Sequence, residues 1–445
     1  MNEPMLALYA DHLAVALARS EATLERHRLD ALILDAGDAV ARSRFDDQWF
    51  AYRPAAHFAW WLPLHAPGSC LLLRPGRRPT LYWHDPQSYW EAPPPPSHHG
   101  FAAHMDVHLA RQAVALHAET ATGRAAVVGE SEARARALAP NAAWNPPDLV
   151  ADLDAARTLK TPYEIACLAE ANARAARGHD HLRQLFAAGS QSELDLHLDY
   201  LRATWQDDAE TPYKNIVALD AHAATLHHIA YGRGAPAGAS SSLLVDAGAT
   251  CHGYHADITR TWVRGSGEAA DRFRALVRAV DDLQQQLCDA IAIGTPYEAL
   301  HDRAHLLVGE ALRQVGLVHA SAEAAVAKEV TFAFFPHGLG HSLGLQTHDV
   351  GCARIRPRSD NPWLRNTSTI AEGQVFTIEP GIYFIEGLLG PLRACEAGRV
   401  VDWRLVESLR PFGGVRIEDD VVVDAARGHL NLTRAVLPEG GGNAR

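Results

Sequence analysis

The sequence predicts an α/β domain over residues 1–155 followed by an α+β domain over 156–440. Three observations carry this. In the first third, short apolar runs alternate with helical periodicity. From residue 162 onward, helical stretches come in pairs separated by strand-rich segments. Between the two patterns stands Asn145-Pro146-Pro147, where fixed φ and missing amide donors interrupt regular structure. A chain of 445 residues has room for two or three domains, and 47% hydrophobic with 21% charged residues is the make-up of an ordinary folded protein.

In order, a helix is expected over about 8–27, then a buried strand within 31–37 that ends in a glycine turn. Further strands are expected at 70–74, 80–83 and 125–129, with a helix over 131–139. The four prolines at 93–96 must be extended, and read as a stiff surface loop. Pro162 and Glu164 suit the first turn of a long helix over about 162–187. Helices follow at about 191–205, 268–292 and 296–315, and strands at 215–218, 242–247, 253–263, 375–384 and 415–423.

Charge excludes some partners. With 41 Lys+Arg against 53 Asp+Glu the net charge is −12, and no basic block occurs, which argues against a nucleic-acid binder. The N-terminal stretch lacks a basic n-region and carries Asp11, His12 and Arg19, so it reads as an amphipathic helix and not a signal peptide. The most apolar stretch, 58–73, is broken by Pro63, His65, Pro67 and Gly68, and no membrane span is expected. Six widely spaced cysteines without a CxxC pair read as buried thiols, and the expected compartment is the cytoplasm.

Chemistry is expected in the second domain. Asp246 closes an apolar strand, Asp257 lies where alternation places it on one face with His255 and Thr259, and Glu379 and Glu418 interrupt apolar strands. Each carboxylate is costly to bury unless it is paired or on a metal. Arg416, two residues from Glu418, is expected to orient it. His337 and His341 are spaced by four, as in a zincin helix. Gly338 stands where that motif needs Glu, however, and Gly338, Gly340 and Gly344 favour a close-packed loop over a helix. With His348 and His227 they form the pool of nitrogen donors. Four carboxylates and one imidazole, without thiolate, suit two divalent ions such as Mn²⁺, Co²⁺ or Zn²⁺.

Taken in chain order, these segments resemble the pita-bread metallopeptidases, and most closely the bacterial Xaa-Pro dipeptidases (prolidases), a group that includes organophosphorus acid anhydrolase. The resemblance spans nearly the whole chain, through 215–219, 335–349, 377–383 and 411–419. It implies a creatinase/prolidase-like N-terminal domain and a pita-bread catalytic domain with Asp246, Asp257, His341, Glu379 and Glu418 as ligands of two ions, most often Mn²⁺. It implies hydrolysis of Xaa-Pro dipeptides by a metal-bridging hydroxide, with Glu379 as general base and proton shuttle and His227 and His348 holding substrate and oxyanion. It further implies Arg365 as the grip on the proline carboxylate, His337 and Arg416 at the site, Tyr213 in the pocket for the N-terminal residue, Asp46 or Asp47 as a contact from the first domain, and a homodimer. An aminopeptidase P acting on longer peptides and an organophosphate triester hydrolase are the alternatives it leaves. Two departures stand out: His228 where an aromatic residue usually follows His227, and Thr367-Ser368-Thr369 in place of a more basic stretch.

Overall fold

Helices that alternate with apolar runs need a sheet to pack on, and residues 1–166 supply one. The structure is a computed structural model that describes all residues except 2, 87–88, 91–99, 190, 235–239, 353–355 and 445. The proline tract 93–96 therefore lies outside the described residues. The chain divides into two units, Met1–Ala166 and Cys167–Arg445.

In the first unit, β1 (Ala31–Asp35), β2 (Cys70–Leu73), β3 (Thr80–His84), β4 (Asp106–Ala110), β5 (Ala125–Val128) and β6 (Ala143–Trp144) form one sheet in the order β4-β3-β2-β1-β5-β6. β1 pairs antiparallel with β2 and parallel with β5, and all five of its residues are buried, which is why it reads as an uninterrupted apolar run. Helix α1 (Glu3–His27) turns Tyr9, Leu13, Ala16 and Leu24 inward at helical spacing. The short α2 (Ala56–Ala59) follows, and α3 (Glu132–Leu138) starts at Ser131, whose hydroxyl accepts the Arg134 amide. α4 (Pro147–Thr158) begins at the Pro-Pro break itself, with Pro147 at its first position. Asp46 and Asp47 are exposed.

The second unit is built around β7 (Ile216–Leu219), β8 (Ser242–Asp246), the short hairpin β9 (Thr250–Cys251) and β10 (Tyr254–His255), and β11 (Thr259–Val263). Further along come β12 (Val375–Ile378), β13 (Gly381–Tyr383), β14 (Gly414–Arg416), β15 (Asp419–Asp424), β16 (Gly428–Asn431) and β17 (Gly441–Asn443). One sheet has the order β17-β11-β8-β7, a second β12-β15-β16, and β13 pairs with β14. Leu243, Val245 and Ala247 pack under Leu182 and Phe186 of α5 (Pro162–Ala188) and Leu196 and Tyr200 of α6 (Glu193–Thr204). The period of two along β8 sends Leu244 and Asp246 to the opposite face. There the register sets Asp246 between Ile216 and Thr259. α7 (Glu268–Asp289) and α8 (Tyr297–Gln314) bury Phe273, Leu276, Val280, Leu300, Val308 and Leu312 in the largest core, with Phe376, Ile378 and Val415 from the strands.

Three of the segments expected to be strand-rich are each interrupted at a carboxylate. The segment 253–263 breaks between β10 and β11, at Asp257; 375–384 breaks between β12 and β13, at Glu379; 415–423 breaks between β14 and β15, at Glu418. At each break the chain changes partner. β12 pairs with β15 while β13 pairs with β14, so the residue between them leaves the ladder and turns inward.

Candidate metal centre

Each candidate ligand sits where local structure exposes an otherwise buried carboxylate or imidazole to its neighbours. Asp246 ends a central strand. Asp257 hangs in the gap before β11, where its backbone amide donates to Oδ2 of Asp420 at 3.0 Å. Glu418 is fixed by its amide to the carbonyl of Thr259 (3.1 Å) and by the Thr259 hydroxyl to its Oε2 (2.6 Å). Glu379 follows β12 and donates its amide to the carbonyl of Leu339, which ties it to the histidine loop.

That loop shows why its glycines are needed. A β-carbon on Gly340 would lie 2.0 Å from the Thr377 carbonyl oxygen, and one on Gly338 would lie 2.9 Å from the Leu364 α-carbon. The first approach lays His341 against β12; the second lays His337 against the segment that carries Arg365. His341 Nδ1 lies 3.1 Å from the Ser342 carbonyl, which places a ring proton there and turns Nε2 toward Asp257 Oδ2 and Glu379 Oε1, each at 3.5 Å. Donor atoms of Asp257, His341 and Glu418 all lie within 4.8 Å of one another. Asp246 joins them through Tyr213, whose hydroxyl is 2.7 Å from Asp246 Oδ1 and 2.5 Å from Asp257 Oδ1. One hydroxyl proton can serve only one of those oxygens at a time.

The charge of the cluster does not close. Burial, reinforced by Asp257, Glu379 and Asp246, pushes Glu418 well above the usual carboxylate range, and burial pushes Glu379 up to about 7. Asp246 is raised by burial despite Arg416. Burial opposes the charge of His341 too, yet Asp257 and Glu379 raise it to about 9, so that its imidazolium supplies positive charge here. Four carboxylates thus face Arg416 and one histidine. The oxygen-rich donor set, the single imidazole with its other nitrogen tied to a carbonyl, and the missing positive charge fit a pair of divalent cations.

The remaining expected residues fall into two groups. His348 packs edge-on to the His341 ring with centroids 4.5 Å apart. Desolvation, His341 and Arg365 lower it to about 4, with His227 contributing, which brings these side chains into one electrostatic neighbourhood. His227 and Arg365 are exposed. His337, lowered to about 3 by burial and then by Arg416, pairs its Nε2 with the Tyr383 hydroxyl at 2.8 Å.

Arg416 differs from its expected place. It does not touch Glu418: Nη2 meets Asp246 Oδ2 at 2.6 Å, Nη1 the Tyr383 hydroxyl at 3.0 Å and Nε the Thr259 hydroxyl at 3.1 Å. Its link to Glu418 runs through Thr259. Buried and bonded at all three nitrogens, it braces Asp246 from behind. Tyr213 likewise spends its hydroxyl on Asp246 and Asp257, and His255 turns to the Thr347 hydroxyl at 3.0 Å. Thr259 donates to Glu418, Asp420 accepts the Asp257 amide and Tyr383 joins Arg416 to His337, and sequence reasoning assigned none of the three a role. Only the threonine at the start of an apolar strand was a visible signal.

Comparisons with known proteins give the family and the fold. A model of metallopeptidase family M24 matches residues 166–425, and one of the Xaa-Pro dipeptidase N-terminal domain matches residues 7–154. The chain is 40% identical over 447 residues to a protein of Stenotrophomonas maltophilia (strain R551-3) named Xaa-Pro dipeptidase, covering 98% of each chain. It is 40% identical over 449 residues to one of the same name from Xanthomonas campestris pv. campestris (strain B100), covering 98% of this chain and 99% of that one. Among solved structures it is similar to proline aminopeptidase P II from Yersinia pestis, with TM-score 0.72 at 21% identity over 99% of this chain and 98% of that one. Aminopeptidase PepP of Pseudomonas aeruginosa gives TM-score 0.73 at 23% identity over 97% and 95%. At those identities the structures speak for the fold alone: an N-terminal α/β domain and a pita-bread domain.

Proposed function

This chain belongs to metallopeptidase family M24, and we propose that it hydrolyses dipeptides with a C-terminal proline. The observation that carries the metal-dependent half of this reading is the carboxylate cluster short of positive charge. The substrate class rests on the near-full-length similarity to proteins named Xaa-Pro dipeptidase. Asp246, Asp257, His341, Glu379 and Glu418 would hold two divalent ions. When bound, those ions supply Lewis acidity and a hydroxide nucleophile at neutral pH.

The chain's own residues do the rest. Glu379, the most exposed of the four carboxylates with 17% of its side chain open, takes a proton from the attacking water and passes it to the leaving imide nitrogen. An imide nitrogen has no N–H to recognise, so specificity has to come from groups around it. His348 and His227 hold the substrate carbonyl as negative charge develops on it. The Arg365 guanidinium, with its fork of donors, matches a C-terminal carboxylate and sets the length of the substrate at two residues. Mn²⁺ suits the oxygen-rich ligand set. Six free cysteines suit a reducing cytoplasm, and among the described residues no helix is long and apolar enough to cross a membrane. We assign a homodimer on the likeness to prolidases.

The test is turnover of a panel of dipeptides with and without C-terminal proline, each divalent metal supplied in turn, together with a length series. Preference for Xaa-Pro dipeptides is the expected result. Faster turnover of tripeptides makes the protein an aminopeptidase P, and faster turnover of phosphotriesters makes it an organophosphate hydrolase.

A further inference from the structure

A second set of ligating side chains gathers at the start of α6. Ser192 caps that helix in reciprocal hydrogen bonds with Asp195, and Glu193 follows with its carboxylate buried. Glu193 Oε1 accepts the Leu219 amide at 2.9 Å and lies 2.7 Å from His222 Nδ1; Oε2 accepts the Gly232 amide at 2.7 Å and lies 2.8 Å from His228 Nε2. The two imidazoles stack with centroids 4.5 Å apart and planes 26° from parallel. Donor atoms of all three side chains lie within 4.8 Å of one another.

We propose that Glu193, His222 and His228 form a further cation site, for zinc or a similar borderline divalent ion. Two imidazoles and one carboxylate are a zinc-type donor set, too poor in oxygen for magnesium or calcium. The backbone amides of Leu219 and Gly232 aim the carboxylate as supporting hydrogen bonds aim a metal-bound one, and leave each oxygen a lone pair on the histidine side. Although burial opposes it, those amides and the two histidines keep Glu193 below its ordinary range, so it is anionic at neutral pH. An ion would take the place of the protons now shared with the rings, with each N···O separation widening to about 3.3 Å around bonds of about 2.0–2.1 Å. The His222 side chain, 57% exposed, leaves a way in from solvent and a fourth position for water. His228 stands where an aromatic residue is expected, and without a histidine there the set would have one imidazole. The site shares no residue with the five ligands of the first centre, and the ion would clip α6 to the segment 219–232.

The protein, saturated with the divalent ions it is purified with, is titrated with Zn²⁺ alongside His222→Ala and His228→Phe. Zinc is counted by elemental analysis and Tm is followed. The expected result is one more zinc per chain in the parent than in either variant, and a Tm that rises with zinc only in the parent. Equal zinc in the three proteins, with equal response of Tm, leaves a hydrogen-bonded clamp only and overturns the proposal. Should His228→Phe fail to fold, His222→Ala alters a mostly exposed ring and decides the question alone.

Discussion

Glu418 and Asp419 are neighbours in sequence, both buried, and meet opposite electrostatic surroundings. Strand alternation carries them to opposite faces, as it does their partners Thr259 and Arg260. Asp419 accepts from Arg260 Nη2 at 2.8 Å, Arg434 Nε at 2.6 Å, Asn431 at 2.8 Å and Gln284 at 2.9 Å. Burial opposes its charge, but the two guanidiniums hold it below the usual range. Glu418 receives one hydroxyl and faces three other carboxylates. Burial is alike on the two sides; countercharge is not. Where the chain supplies its own cations the carboxylate is structural, and where it withholds them the proposed metal ions would make up the charge.

The contrast can be broken at either face. Asp419→Asn leaves the Arg260 guanidinium buried without its anionic partner and should cost about 3–5 kcal/mol in urea unfolding. It should leave metal content unchanged in the folded fraction. Asp257→Asn should instead lower metal content and reduce Xaa-Pro hydrolysis by more than about 100-fold, because even the groups behind ligands are worth 10–100-fold. Unchanged metal and turnover would remove Asp257 from the centre.

A smaller effect separates the two faces by pH in the metal-chelated protein. Glu379, raised to about 7 in the fold, contributes stability that is fully present below the pKa of a free glutamate and is lost as pH rises through about 7. Asp419, held low, contributes stability that is lost only as pH falls through its own depressed value. Measured against Glu379→Gln, the chelated parent should therefore lose stability from pH 5 to pH 8, by at most about 1.4 kcal/mol per pH unit, while buried histidines such as His337 act in the opposite sense in both proteins and cancel in the difference. A difference between parent and variant that does not change with pH would mean that Glu379 is not raised by its surroundings.

The long helices and the most apolar strands were legible because their apolar periods are local, whereas β4, α4 and β16 were not expected. The helices expected at about 162–187 and 296–315 are found at Pro162–Ala188 and Tyr297–Gln314. The breaks at Asp257, Glu379 and Glu418 were not legible, since an apolar run carries no mark of where its pairing partner changes. The same limit hid the partner of Arg416. Glu418, two residues away, was the local choice, while Asp246, 170 residues away, is the one that register and sheet order deliver. The glycines at 338 and 340 were the exception: a residue without a side chain beside a histidine announces close approach in the sequence itself.

The most direct test of the central claim is Tm with and without chelator for the parent and for Glu418→Gln. If the cluster is held together by ions, chelation lowers the parent's Tm, and Glu418→Gln, which buries no ionisable carboxyl among Asp257, Glu379 and Asp246, unfolds at a higher temperature than the parent once both are chelated. Equal Tm values for the chelated proteins, with no effect of chelation on the parent, would contradict the account.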